Sequence, residues 1–207
     1  MAGFDLPDPV RPPDLTDRRY GLSNLSEAAR FGYGLPDEAI PSDRVQMKEL
    51  SESERKALGS DGDQEGCIGI GTARVTGSAL AATATSPVAV KIQKDTWLAS
   101  SEDGRVRASI SDWSKCMKSG GFEMSTPLES PKAGISESEE KRIATSSIKC
   151  SSSVGLPRVW FDVEAELQVL AISKESAKLE AEKGELRRQL DKADSIAKMA
   201  GGLDGGN

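Results

Sequence analysis

Histidine is absent from the 207-residue chain, aromatic residues make up 4% of it, and there are three cysteines. Without an imidazole there is no Ser-His-Asp triad, no His-ligated zinc and no histidine general base, so any catalysis would fall to Ser/Lys, carboxylate or cysteine arrangements. Leu, Ile, Val and Phe together number 41, close to the roughly 20% level below which a charged chain stops supporting a core. A folded core is therefore expected to be thin. No run approaches 18 apolar residues, so no transmembrane segment is expected. The start, Met1-Ala2-Gly3-Phe4-Asp5, lacks the basic and apolar regions of a signal peptide.

Charge is carried unevenly. The net charge is −6, which disfavours nucleic acid as a partner, since a nucleic-acid-binding domain is expected to present a basic stripe. Residues 1–65 hold 14 acids and 8 bases, net −6, whereas residues 66–207 hold 19 of each. The pattern divides the chain into an acidic, loop-rich N-terminal segment with short helices (1–65), a helical core (66–175), and a projecting helix with a flexible Gly-rich tail (176–207).

Helix signals dominate the local patterns. Pro7, Pro9, Pro12 and Pro13 make the beginning an extended lead-in. A short helix is expected over 24–31, with Ser23 as N-cap and Gly32 and Gly34 as stops. Val45, Met47 and Leu50 suggest another helical stretch, and Ser51 with Glu54 forms a capping box for a turn ending at Leu58-Gly59. Ser60 to Gly66 reads as an acidic loop. Residues 66–87 mix glycines with Ile68, Ile70 and Val75 and read as either a helix or irregular chain. From Val88 to Met117, apolar residues at Val90, Ile92 and Trp97 precede a helical face at Val106, Ile110, Trp113 and Met117, with an interruption near Ser100–Gly104 and a stop at Gly120-Gly121. Ser136 and Glu139 suggest a second capping box, starting a helix through Ile143, Ile148 and Cys150.

The last element is the plainest. With Pro157 at its first turn, a helix of about 40 residues is expected, its first half using Val159, Trp160, Val163, Leu167 and Leu170. Beyond Ser173, positions 172, 179, 186 and 193 repeat every seven residues, but the companion positions 176, 183, 190 and 197 hold Ser, Lys, Leu and Ala. That seam is weak for a coiled coil, and Gly184 costs it about 1 kcal/mol. The segment reads as a solvated charged helix or as a helix that self-associates through 157–198. The predicted fold class is mainly α: a loose bundle with a long C-terminal helix and an irregular N-terminal third.

Active-site fragments are present without their context. Ser146-Ser147-Ile148-Lys149 fits Ser-x-x-Lys, Ser111-Asp112 begins a Ser-Asp-Asn, and Lys118-Ser119-Gly120 resembles Lys-Thr-Gly, but the serine comes last and Trp113 replaces the asparagine. Gly69-Ile70-Gly71 lacks the third glycine of a dinucleotide loop. The carboxylate pairs Glu164/Glu166 and Glu139/Glu140 read as solvated helix surface. No metal site and no cofactor are expected, because Cys67, Cys116 and Cys150 alone are an incomplete zinc set. Trp97, Trp113, Trp160, Phe122 and Phe161 read as core, with an exposed patch taking a glycan or peptide as the sharper alternative. The three cysteines admit one bridge and a leftover thiol, or three small apolar residues in a reduced protein.

Two segments echo each other: Gly3-Phe4-Asp5-Leu6-Pro7-Asp8-Pro9 and Gly121-Phe122-Glu123-Met124-Ser125-Thr126-Pro127. The second follows Cys116-Met117. Arg19-Tyr20-Gly21, Phe31-Gly32-Tyr33-Gly34-Leu35-Pro36, Gly66-Cys67, Trp113-Ser114-Lys115-Cys116-Met117 with Gly121-Phe122, and Cys150 followed by Trp160 and Gln168 resemble an uncharacterised group of actinobacterial exported proteins and lipoproteins. The resemblance covers Arg19 to about Leu170. Such proteins begin with a leader, often place a Cys-Met before the first Gly-Phe, and often carry Asp where this chain has Ser147. The resemblance implies a protein of the cell envelope or exterior if an upstream leader exists, a disulfide between Cys116 and Cys150, and an unpaired thiol at Cys67. It implies no reaction. The function expected is a non-enzymatic envelope or secreted binding or structural protein with a protein or envelope partner. The alternatives are a cytoplasmic helical adaptor and a small carboxylate or serine enzyme.

Overall fold

The computed structural model describes residues 18–35, 51–59, 66–77 and 86–201. They form seven helices and, among the described residues, no strand: α1 Leu25–Phe31, α2 Glu52–Leu58, α3 Cys67–Thr76, α4 Pro87–Ser101, α5 Gly104–Ser119, α6 Glu137–Ser153 and α7 Leu156–Gly201. The chain is mainly α, as its composition implies. The proline-rich lead-in, the stretch around Val45–Leu50, the acidic loop 60–65, the first copy of the Gly-Phe echo and the Gly-rich tail lie outside the described residues.

The residues gather into two units, one containing 18–35 and 93–171, the other 51–59, 66–77, 86–92 and 172–201. In the first, α5 supplies Val106, Trp113 and Met117, α6 supplies Ile143 and Cys150, and α7 supplies Leu156, Trp160 and Val163. The α7 residues recur at intervals of four and three, the spacing that keeps them on one helix face. Phe122 and Met124, from the second copy of the echo, close this core, and Trp97 and Tyr20 pack against it. Burial also satisfies the indoles. Trp113 Nε1 donates to the Ser147 carbonyl at 3.1 Å, and Trp160 Nε1 donates to Ser100 Oγ at 2.9 Å. A smaller cluster joins Leu22 and Ala28 to Ala144 and Ile148 of α6.

Cys116 near the end of α5 and Cys150 near the end of α6 form a disulfide with Cα atoms 5.7 Å apart. The pairing joins two helices that already share the core, and Cys150 is buried there. Cys67 is free and exposed at the first position of α3.

Several local expectations are refined. Asn24, not Ser23, caps α1: its side chain accepts from the amides of Ser26 and Glu27, at 3.0 and 3.2 Å. Ser51 and Glu54 make both halves of their capping box. Ser136 accepts from the Glu139 amide, but the Glu139 carboxylate turns to Arg142, so that box is half made. The break between α4 and α5 is sealed by Asp103, which caps α5 through the Arg105 amide at 2.8 Å.

In the second unit, α2 ends at Gly59 in the left-handed region, and Gly66 lies against that end: a Cβ added at Gly66 would stand 2.4 Å from Gly59 backbone atoms. That approach requires glycine at position 66. The ambiguous glycine-rich stretch becomes α3. Glu182 of α7 caps the start of α4: its carboxylate accepts from the Val88 amide at 3.2 Å and from the Ser86 hydroxyl. An acid placed there meets the orphan amides and positive end of a helix. Helix α7 has 46 residues. Apart from Gly184, its partly covered positions in this region are 175, 179, 182, 186, 189, 193 and 196, an alternation of four and three. The companion residues are thus Glu175, Glu182, Gln189 and Ile196, one step before the 176, 183, 190, 197 series expected, and Leu190 of that series is exposed. No helix among the described residues is long and apolar enough to cross a membrane.

Candidate functional site

Arg19, just before α1, and Glu164, on α7, are 145 positions apart in sequence and meet in the first unit. Glu164 is 1% exposed although it is a carboxylate, and an uncompensated buried charge is among the most expensive features a fold can carry. Three side chains donate to it. Arg19 Nε donates to Oε2 at 2.9 Å and to Oε1 at 3.2 Å, and Arg19 Nη2 also donates to Oε1. The Tyr20 hydroxyl donates to Oε2 at 2.9 Å, and Gln168 Nε2, one turn along α7, donates to Oε1 at 2.8 Å. Arg19 Nη2 is fixed further by the Gln93 carbonyl at 3.2 Å.

The surroundings hold these groups in place. The Tyr20 ring lies 5.5 Å from that of Trp160, which in turn stacks at 6.2 Å with Trp97. Behind Tyr20, Gly21 adopts φ +106°, and an added Cβ would lie 3.0 Å from Pro127 Cβ and 3.1 Å from the Pro127 carbonyl oxygen. Both the backbone conformation and the contact exclude a side chain. Gly21→Ala is expected to cost about 1–3 kcal/mol, measurable as a lower denaturant midpoint with an unchanged slope.

Hydrogen bonding to Glu164 drives Arg19 further toward its charged form, with burial opposing. Burial, and then the bond to Glu164, push the Tyr20 hydroxyl from 10.0 up to about 12. Tyr33 is raised as well, mainly by burial. These are the only tyrosines in the chain. A raised folded value means that the stabilisation is complete below the unfolded pKa near 10 and disappears as pH climbs to about 12. Because Tyr20 is partly solvated, its share is on the order of 1 kcal/mol. A spectroscopic titration should find both tyrosinates forming later in native protein than in urea, with unfolding free energy falling across that window.

Beside the ion pair opens a cavity of about 300 Å³ whose walls include Phe161, Ala165, Gln168 and Gln93 as well as the pair itself. Phe161 is 54% exposed, which corrects its expected place in the core. Trp113 and Trp160 are fully buried, Phe122 is buried and Trp97 is half-buried. A second cavity of about 200 Å³ lies against Gly21, Leu22, Tyr33 and Pro127. Its one cation, Arg18, is committed to the carbonyls of Tyr33 and Gly34, at 3.0 Å each.

The carboxylate pairs separate. Glu166 pairs with Arg105 at 2.9 Å on the surface, away from Glu164. Glu139 goes to Arg142, and Glu140 accepts from the Tyr33 amide at 3.0 Å. Ser147 is wholly buried, and its hydroxyl has no hydrogen-bond partner among the described residues. The sequence contained one signal for the buried pair. Glu164 stands four residues after Trp160 and three before Leu167, on the stripe that faces the core, where a carboxylate requires a cation. Comparison of the chain with family models, with curated proteins and with solved structures finds no match.

Proposed function

We propose that the chain works in the cell envelope or outside the cell, as a non-enzymatic protein that binds a partner or ligand through its helical unit. The observation that carries this reading is the Cys116–Cys150 disulfide, which ties α5 to α6 beside a core with few large apolar residues. Disulfides persist in oxidising compartments and are rare in the cytosol, and small cores rely on them disproportionately. The Cys116-Met117 and Gly121-Phe122 resemblance to exported actinobacterial proteins supports the same compartment.

Binding rather than catalysis is supported by the state of Glu164. Its oxygens already accept from Arg19, Tyr20 and Gln168, which leaves no free position for taking a substrate proton. The carboxylate serves as an anchor that holds a guanidinium and a phenol at the cavity wall.

The test is to quench producing cells in acid, block free thiols with a mass-tagging alkylator, and fractionate. The expected result is protein in the extracytoplasmic fraction carrying one tag, at Cys67. Protein confined to the cytosol and carrying three tags would overturn the reading.

A further inference from the structure

We propose that the cavity beside Arg19 binds one neutral sugar residue, with its hydroxyls on Arg19, Gln93 and Gln168 and its C–H face on Phe161. The inference rests on the reading of the chain as a binding protein and adds the class of ligand.

Charge selects first. Arg19 and Glu164 cancel, so a carboxylate or phosphate entering the cavity would meet no net positive field, and an ammonium would find the carboxylate already occupied by donors. The polar capacity that remains is neutral in sum. Arg19 Nη1 makes no hydrogen bond among the described residues, the side-chain amide of Gln93 makes none, and Gln168 keeps its carbonyl oxygen after its amide nitrogen is given to Glu164. Planar groups that together offer donors and acceptors suit hydroxyls, each of which both donates and accepts. They suit a ligand with a single acceptor less well.

Shape selects second. Phe161 stands 54% exposed on the cavity wall, beside the small Ala165. The electron-rich face of an aromatic ring attracts polarised C–H groups, and a pyranose presents such a face with hydroxyls at its edge. A volume of about 300 Å³ is at the small end of ligand sites, which suits one ring rather than a length of peptide.

The experiment uses oxidised full-length protein whose thiols have been counted, labelled with nitrogen-15. Glucose, galactose and N-acetylglucosamine are titrated separately, with acetate and a blocked dipeptide as comparison arms, while the side-chain amide signals of Gln93 and Gln168 are followed. At least one sugar is expected to shift both signals saturably, with a dissociation constant on the order of 1 mM. Phe161→Ala, an exposed change that leaves the core intact, should weaken that binding about fivefold to tenfold, and Phe161→Trp should retain it. The proposal is overturned if no sugar shifts these signals up to about 50 mM, if only acetate or the dipeptide does, or if Phe161→Ala binds unchanged. Thiol trapping in cells decides the compartment and this titration decides the ligand, so either conclusion can fall without the other.

Discussion

Replacing Arg19 with leucine is expected to destabilise the unit formed by 18–35 and 93–171 by about 3–5 kcal/mol. The substitution leaves Glu164, 1% exposed, with its charge uncompensated and only Tyr20 and Gln168 as donors. Loss of one partner of a buried pair costs far more than the pair contributes, because the remaining ion keeps its desolvation penalty without the attraction that offset it. For a unit of this size the thermal midpoint should fall by about 10 °C or more. Arg19→Leu combined with Glu164→Leu removes both charges and fills the space with apolar volume, so it should recover most of the loss. A double-mutant cycle read by chemical denaturation would show strong coupling. Additive losses would mean that Arg19 acts through its packing alone.

Removing the disulfide by Cys116→Ala together with Cys150→Ala is expected to cost about 3–4 kcal/mol. The sequence separation of 34 closes a ring whose loss returns conformational freedom chiefly to the unfolded chain. Against a typical total of about 5–15 kcal/mol, either this change or the loss of Arg19 takes a large share. Reductant should lower the midpoint of the parent protein by the same amount and leave the double alanine variant unmoved. A parent protein indifferent to reductant would contradict the expectation.

The parts of the fold legible in the sequence were those governed by local rules. The buried face of α5 shows Val106, Trp113 and Met117 where the periodicity places them, with Ser109 buried and Ile110 half-buried beside them. The capping serines Ser51 and Ser136 mark their helix starts, and the break near Ser100–Gly104 falls between α4 and α5. Local rules were weaker where two residues competed for one role, as at Ser23 and Asn24. Apolar periodicity alone also places the companion positions of the α7 stripe one step late, because Glu175, Glu182 and Gln189 are polar. Glu182 belongs there as the cap of α4.

The cavity was not legible, for a different reason. Its anchor joins residues 145 positions apart, and nothing in the neighbourhood of either residue names the other. In the sequence, Arg19-Tyr20-Gly21 carries only a resemblance. In the structure each of the three has its own physical role. Arg19 neutralises Glu164, Tyr20 donates to it and packs on Trp160, and Gly21 fits beneath Pro127. Gln168, another mark of the resemblance, completes the same carboxylate.

The export reading depends above all on the bond between Cys116 and Cys150, and a peptide map tests it most directly. Protein isolated without reductant would be alkylated in denaturant, digested with trypsin and weighed. The expected map joins Cys116-Met117-Lys118 to the peptide running from Cys150 to Arg158, with the alkyl group on Cys67 alone. A map in which Cys67, Cys116 and Cys150 all carry the alkyl group, with no joined peptide, would contradict the account.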